Sequence, residues 1–186
     1  MAKLVSFMTL SVDGYYSRPD GDLGFAHRSD PEFDAFVADN ARSGGNLLFG
    51  RVTYEMMLAY WPTPAAHANM PVVADGMKRA SKFVTSRTLK DASWANTTLL
   101  KGPLVNEIEQ LKRDAKQPIV ILGSASLVTQ LSDAGLIDEY QIVLAPVALG
   151  AGRSLFAGMQ RELALELTET RKFSNGNVFL RYASAR

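Results

Sequence analysis

The sequence predicts an α/β fold: a three-layer sandwich around a mixed, mostly parallel β-sheet that ends in an antiparallel C-terminal hairpin. Short apolar runs rich in β-branched and aromatic residues alternate with segments of helical period, which is typical of such a sandwich. In the last third of the chain, Asn175-Gly176 stands between two alternating runs and favours a hairpin. The 186 residues, 47% of them hydrophobic, can bury one sizeable core, so we expect a single domain over residues 1–186.

Eight strands follow from the positions of the apolar runs and of the turn residues between them. We expect them at Leu4–Val12, Asn46–Phe49, Lys82–Thr85, Thr98–Leu100, Ile119–Leu122, Glu139–Pro146, Leu163–Lys172 and Val178–Ala183. Helices should fill the intervals of the first two thirds, apart from two loop-rich regions at 17–30 and 61–70. A substrate is expected at these two loops, because binding residues concentrate on loops held by a rigid scaffold.

Two helices can be placed by their ends and faces. Pro103 suits the first helical position, because its missing N–H has no helical partner there. In the helix that follows we expect a buried face made of Leu104, Val105, Ile108 and Leu111. The opposite face, with Glu107, Gln110 and Lys112, is expected to be exposed to water. A second helix has the apolar stripe Leu127, Val128, Leu131 and Ala134, and Gly135 is expected to end it as a left-handed cap.

The composition argues against several classes of function. The 20 basic residues nearly balance the 19 acidic ones and are scattered, so nucleic acid is not an expected partner. The chain has no cysteine, and His27 and His67 lie far apart, so we expect neither thiolate chemistry nor a metal site. No segment approaches the roughly 20 apolar residues that span a bilayer, so we expect no membrane contact and a cytoplasmic location.

Three predicted junctions at strand ends carry glycine, hydroxyl and arginine residues: Gly50-Arg51-Val52-Thr53, Thr85-Ser86-Arg87 and Gly123-Ser124-Ala125-Ser126. Free N–H groups and the helix dipole stabilise a phosphate at the first turn of a helix. At the carboxyl edge of a sheet the three loops can converge on one long phosphorylated ligand, such as an adenine dinucleotide with a 2′-phosphate. Each motif fits a plain helix cap or a solvent-facing loop as well, and the Rossmann glycine fingerprint is absent.

Six motifs stand in order along nearly the whole chain. They are Ser11-Val12-Asp13-Gly14-Tyr15, Gly50-Arg51-Val52-Thr53-Tyr54-Glu55, Val84-Thr85-Ser86-Arg87-Thr88-Leu89, Leu122-Gly123-Ser124-Ala125-Ser126-Leu127, Gly135-Leu136-Ile137-Asp138-Glu139-Tyr140 and the segment 146–156. Together they resemble the dihydrofolate reductase fold, and within it the C-terminal reductase domain of bacterial riboflavin biosynthesis proteins, the RibD C-terminal domain.

The resemblance implies an NADPH-dependent reductase that transfers a hydride to a C=N or C=O bond of a small heterocycle. That acceptor would be a pterin or a ribosylamino-pyrimidine of the 5-amino-6-(5-phosphoribosylamino)uracil type. The implied cofactor contacts are Thr9 and Leu10 near the nicotinamide, Gly50, Arg51, Thr53, Thr85, Ser86 and Arg87 at the phosphates, and Leu122, Gly123, Ser124, Ala125, Ser126 and Leu127 along the pyrophosphate. Leu122-Gly123 replaces the paired glycines of dihydrofolate reductases, so a cis peptide bond is not predicted here.

Asp34 is the candidate proton donor that the resemblance implies, because it precedes Gly50 by 16 residues, the spacing associated with the family's catalytic carboxylate. The segment Asp30-Pro31-Glu32-Phe33-Asp34 also fits an ordinary capped helix start in which early acids complement the dipole. The aromatic residues Phe25, Tyr60 and Trp61 fit an apolar wall for a flat heterocycle, and they fit core packing as well.

Two other functions stay open at this point. A non-catalytic NADP-binding or sensor protein would keep the three phosphate loops and need no proton donor. A structural homodimer would need neither the phosphate loops nor a proton donor. The resemblance implies that two chains pair through the C-terminal region, although the apolar run Val143-Leu144-Ala145-Pro146-Val147 fits the core of a monomer equally well.

Overall fold

The structure, a computed structural model, describes residues 1–185. Its strands are β1 (Leu4–Ser11), β2 (Tyr15–Ser17), β3 (Asn46–Gly50), β4 (Lys82–Thr85), β5 (Thr97–Leu100), β6 (Ile119–Ile121), β7 (Glu139–Ala145), β8 (Arg153–Ser154), β9 (Leu165–Lys172) and β10 (Val178–Ser184). Its α-helices are α1 (Pro31–Ser43), α2 (Arg51–Tyr60), α3 (Pro64–Asn69), α4 (Pro71–Arg79), α5 (Leu104–Asp114) and α6 (Ala125–Asp133), and a short 3-10 turn spans Gly24–Ala26.

The main sheet has eight strands in the order β5-β4-β3-β6-β1-β7-β10-β9. The pairs from β5 to β7 are all parallel, and β10 runs antiparallel to both β7 and β9. This confirms the mixed, mostly parallel sheet with an antiparallel C-terminal hairpin. Because the parallel strands point the same way, their carboxyl ends share one edge of the sheet, where the loops that follow them meet.

Helices cover both faces of this sheet and complete the three layers. On one face, α5 and α6 pack their apolar stripes against β1, β6 and β7, with Ile108, Leu111, Val128 and Leu131 buried. On the other face, α2 and α4 cover Phe49 and Val84, while α1 packs its phenylalanines on Phe173 and Phe179. Within residues 1–185, no helix is both long and apolar enough to cross a lipid bilayer.

Several local predictions are confirmed and others are wrong. Gly135 has φ +66° and ends α6, as expected of a left-handed cap, and Gly176 has φ +87° in the hairpin turn. The region 61–70 is not simply a loop, because Thr63 caps α3 through the Ala66 N–H and Pro64 occupies its first turn. No helix joins β4 to β5; residues 86–96 form a loop that is fixed in part by the Tyr54 hydroxyl, which accepts from the Trp94 N–H at 2.9 Å.

The prediction that Lys112 faces water is wrong. Its Nζ lies 2.6 Å from Asp138 Oδ2 and donates to the Leu136 carbonyl at 2.7 Å. The same carboxylate oxygen accepts from the Leu4 N–H at 2.8 Å, so the pair joins α5 to the starts of β1 and β7. On the same helix Val105, predicted to be buried, is 39% exposed. Helical periodicity cannot reveal an ionic partner that lies 26 residues further along the chain.

Lys82, the first residue of β4, is fully buried without a carboxylate partner among the ion pairs of residues 1–185. Its Nζ donates to the carbonyls of Met77 at 2.9 Å and Ala80 at 2.7 Å, which end α4, and lies 4.8 Å from the Trp94 ring centroid. Burial lowers the pKa of this ammonium from 10.5 to about 8.

This lowered pKa predicts that the protein becomes more stable as the pH rises above 8. Between pH 8 and pH 10.5 the unfolded chain retains the Lys82 proton that the folded chain has released, so the free energy of unfolding increases with pH. We expect a gain of about 2 kcal/mol from about pH 7.5 to about pH 9.5, measured by urea unfolding. Lys82→Met removes this titration and should abolish the gain; an equal gain in both proteins would show that other groups cause it.

Candidate functional site

A cleft of about 1860 Å³ follows the carboxyl edge of the parallel strands. Thr9 of β1, Gly50 at the end of β3, Thr85 of β4 and Leu122 after β6 all line it. The three junctions singled out in the sequence therefore meet in one continuous space, as the topology of a parallel sheet requires.

The turns that follow β3 and β6 touch each other at the middle of this cleft. The Gly50 N–H donates to the Gly123 carbonyl at 3.2 Å. A Cβ at Gly50 would lie 2.5 Å from Ser124 Oγ, and a Cβ at Gly123 would lie 3.0 Å from Thr53 Oγ1. Only glycine fits at Gly50 without displacing a neighbour. Gly123 also has φ +111°, and its peptide bond to Ser124 is cis, which the sequence did not predict.

Two helices begin at this contact, α2 on one face of the sheet and α6 on the other. Gly50 has no side chain to cap α2, and the Ser124 hydroxyl makes no cap bond to α6 but lies 2.8 Å from Ser126 Oγ. The Leu127 N–H already donates to the Ser124 carbonyl at 3.1 Å. The N–H groups of Ala125 and Ser126 and those of the first turn of α2 are oriented to bind an anion, as is usual at a helix start.

Three cationic side chains line the outer part of the cleft: Arg51, Arg87 and Lys101. Arg51 is about half exposed and lies 2.8 Å from Glu55 Oε2, one turn along α2. Ser86 accepts from the N–H groups of Thr88 and Leu89 and so shapes the turn that carries Arg87. Lys101 was missed in the sequence, although Gly102 follows it directly. Leu100 pairs with Thr85 and so places Lys101 beside this turn.

Asp34 lines the inner part of the cleft, on the same side of the sheet as Thr9. The capping role that the sequence left open belongs to Asp30, whose carboxylate accepts from the Phe33 N–H at 3.2 Å. The Ser174 hydroxyl donates to Asp30 at 2.6 Å, and it and the Phe33 N–H lower the pKa of Asp30. Asp34 lies in the first turn of α1, where an acid also complements the helix dipole, and the Ser29 hydroxyl donates to its carboxylate at 3.3 Å.

Most of the predicted site residues lie together on this cleft. Those that line it are Thr9, Asp34, Gly50, Arg51, Thr53, Thr85, Ser86, Arg87, Leu122, Ser124, Ala125, Ser126 and Leu127. Two behave differently: Leu10 points into the core on the other face of the sheet, and Gly123 is buried and does not line the cleft. Of the proposed aromatic wall, Tyr60 and Trp61 line the cleft, whereas Phe25 is buried.

Comparison with known proteins agrees with this geometry. The sequence model of the RibD C-terminal domain matches residues 2–179. The chain belongs to the RibD C-terminal domain family.

Individual relatives extend over the whole chain. The uncharacterized protein YyaP of Bacillus subtilis (strain 168) is 25% identical over 180 residues, which are 97% of this chain and 94% of that protein. A Shewanella sp. PV-4 structure, provisionally assigned to riboflavin biosynthesis, superposes with a TM-score of 0.76 at 24% identity and covers all of both chains. Enterococcus faecalis dihydrofolate reductase, solved with NADP(H), superposes with a TM-score of 0.66 at 14% identity, over 99% of this chain and 97% of that one. The fold is therefore reductase-like.

One carboxylate links the first and last of the motifs that carry the resemblance to the RibD C-terminal domain. Asp13 accepts from the Ser11 hydroxyl at 2.6 Å and from the N–H groups of Leu149 and Gly150 at 3.1 and 2.7 Å. These hydrogen bonds, led by that of Ser11, lower its pKa to about 2. These hydrogen bonds of Asp13 hold β2 beside β8. Ser17 of β2 and Arg153 of β8 both line the cleft.

Gly50→Ala tests the contact between the two turns. The added methyl group would lie 2.5 Å from Ser124 Oγ, so we expect a loss of about 1–3 kcal/mol in the free energy of unfolding, as overpacking of a tight site causes. Ser124→Ala removes the opposing hydroxyl and should restore part of this loss in the double variant. Additive losses in a double-mutant cycle, measured by urea unfolding, would contradict the contact.

Proposed function

We propose that this protein is an NADPH-dependent reductase that transfers a hydride to a small heterocyclic acceptor of the pterin or ribosylamino-pyrimidine type. One observation carries the proposal: two glycine turns without side-chain caps, several cationic side chains, among them Arg51, Arg87 and Lys101, and the Asp34 carboxylate share a single cleft at the carboxyl edge of the sheet.

The residues present fit an adenine dinucleotide phosphate. The contact between Gly50 and Gly123 brings the starts of α2 and α6 together. Their first turns and the hydroxyls of Thr53, Ser124 and Ser126 would hold a pyrophosphate. Arg51, Arg87 and Lys101 would bind the 2′-phosphate, since guanidinium groups form strong charge-assisted hydrogen bonds to phosphate. The cofactor supplies the hydride when bound, and the protein orients both ligands and excludes water.

Asp34 would deliver the proton that accompanies the hydride. Asp34 lines the same cleft as Thr9. Its carboxyl accepts from the Ser29 hydroxyl at 3.3 Å through one oxygen, and the other oxygen would hydrogen-bond the acceptor and hold a proton near its reacting nitrogen or oxygen.

Binding of NADPH should depend on the two arginines. Arg51→Ala and Arg87→Ala each remove a charge-assisted hydrogen bond, worth about 1.5–3 kcal/mol, so we expect the Kd for NADPH to rise about 10- to 100-fold. The Kd for NADH, which has no 2′-phosphate, should change little. Calorimetric titration measures both, with Arg42→Ala as the control, because Arg42 is exposed on α1 and pairs with Asp39 instead. Unchanged NADPH binding in both variants would refute the assignment of these arginines.

Reduction should depend on Asp34 while cofactor binding does not. Asp34→Asn keeps the size of the side chain and removes the proton, so we expect kcat to fall about 100-fold or more, as loss of a general acid does. The Kd for NADPH should stay unchanged. Glu32→Gln is the matched control, since Glu32 lies on the same turn and pairs with Arg171 outside the cleft. Full activity of Asp34→Asn at neutral pH would exclude Asp34 as the proton donor.

The two alternative functions predict different results in these experiments. A non-catalytic NADP-binding or sensor protein would bind NADPH and reduce no acceptor. A structural homodimer would bind neither NADPH nor an acceptor. Pairing of two chains through the C-terminal region is compatible with a reductase and forms part of the proposal, because β9 is an edge strand and Leu167 on it is 51% exposed. The cytoplasmic location stays a prediction.

A further inference from the structure

The loop between β4 and β5, residues 86–96, carries Arg87 and has neither a helix nor a strand of its own. At its start, the Ser86 hydroxyl accepts from two N–H groups of the loop. At its end, the Asn96 carbonyl accepts from the Lys82 N–H at 2.7 Å. Neither contact joins the loop to α2, which contributes its own arginine to the cleft.

Trp94 makes the connection between this loop and α2. Its indole is buried, and its backbone N–H donates at 2.9 Å to the hydroxyl of Tyr54, which is 1% exposed. The Tyr54 and Trp94 ring centroids lie 6.3 Å apart, and Phe49 stacks on Trp94 at the same distance. Because this hydrogen bond lies among buried aromatic rings, removal of the hydroxyl would leave a buried N–H without its acceptor.

The hydrogen bond of Tyr54 connects two elements that each carry an arginine of the cleft. Arg51 lies three residues before Tyr54 on α2, less than one helical turn away, and Arg87 lies in the loop. Lys101 also contacts the loop, because its Nζ donates to the Lys90 carbonyl at 3.3 Å. Charged groups on separate elements can hold one phosphate only while their separation is fixed, so the connection between these elements bears on binding.

We propose that the Tyr54 hydroxyl is a positioning group for recognition of the 2′-phosphate of NADPH. It holds the Trp94 N–H and thereby fixes the separation between Arg51 on α2 and Arg87 in the loop. The inference rests on the proposed reductase function and goes beyond it, since neither Tyr54 nor Trp94 lines the cleft. Tyr54 acts through the arginines and touches neither ligand.

Tyr54→Phe tests the proposal, because it keeps the ring and removes the hydroxyl. The probe is adenosine 2′,5′-bisphosphate, which carries the 2′-phosphate and lacks the nicotinamide, titrated calorimetrically into the full chain. We expect its Kd and that of NADPH to rise about 10-fold, because a displaced Arg87 loses its bond to the phosphate. NADH has no 2′-phosphate, so its Kd should change by less than about twofold.

A double-mutant cycle shows whether Tyr54 acts through Arg87. In the Arg87→Ala background the arginine that the loop positions is gone, so Tyr54→Phe should raise the Kd for the bisphosphate no further. A general weakening of the fold would instead multiply the two effects. The cycle therefore separates a positioning role from a merely structural one.

Tyr140→Phe is the matched control. Tyr140 is also 1% exposed, and its hydroxyl lies 2.7 Å from Ser132 Oγ in the core beneath α6, on the other face of the sheet. Both substitutions remove a buried, hydrogen-bonded hydroxyl, so both should lower the urea midpoint of unfolding. Only Tyr54→Phe should weaken binding of the bisphosphate.

Hydrogen exchange provides a test that needs no variant. Coupling between two sites is reciprocal, so the bound bisphosphate should stabilise the hydrogen bond between Trp94 and Tyr54 and slow exchange of the Trp94 amide about 10-fold. The edge strand β9 does not line the cleft and serves as the reference, in which exchange should stay unchanged.

The results separate failure of the inference from failure of the proposed function. If the wild type binds neither NADPH nor the bisphosphate, the NADPH-dependent function is refuted and the positioning role with it. If the wild type binds both and Tyr54→Phe binds them equally well, the positioning role is refuted and the function stands. Multiplied effects in the cycle also refute the role. Unchanged exchange of the Trp94 amide in the presence of the bisphosphate refutes it even if Tyr54→Phe does not fold.

Discussion

The contact between the turns after β3 and β6 is the constraint on which the site depends. These two strands are neighbours in the sheet, with Leu48 beside Ile121, so their turns meet directly and leave no space for a side chain on Gly50. The helices that follow cover opposite faces of the sheet, yet both begin at this point. Two positive helix ends are thereby brought to one place. Larger side chains here would separate the turns and the two helix ends with them.

The C-terminal hairpin fixes the other half of the cleft by holding the start of α1. Its turn supplies the Ser174 hydroxyl to Asp30 at 2.6 Å and the Asn175 amide to the Arg28 carbonyl at 2.9 Å. Phe173 adds ring contacts to Phe33 and Phe36 with centroids 5.1 and 5.3 Å apart. Because Asp30 caps the helix start that the hairpin holds, Asp34 one turn later keeps a fixed position on the cleft. The antiparallel end of the sheet therefore contributes to a site that it does not line.

The sequence was informative where a structural cause is local. Asn175-Gly176 and Gly135 mark turns because the backbone there needs positive φ at glycine. The three junctions at strand ends stand out because glycine and hydroxyl residues follow apolar runs. It was uninformative where the cause is distant. The partner of Lys112, the loop contact of Trp94 with Tyr54 and the position of Lys101 beside Thr85 depend on pairing across the sheet or between layers. The cap of α3 was a local signal, Thr63-Pro64, that was available and missed.

Helix α2 carries a cationic side chain at its first position and an aromatic side chain at its last, and both line the cleft. Arg51 lies at its first position and Tyr60 at its last, so about 14 Å of helix divides the cationic end from the aromatic end. A bound phosphate would gain charge-assisted hydrogen bonds at the Arg51 end, and a flat ring would gain aromatic contact at the Tyr60 end. With the phosphates of the proposed cofactor at Arg51, the acceptor would take the end that carries Tyr60. One helix would then set the relative orientation of both proposed ligands.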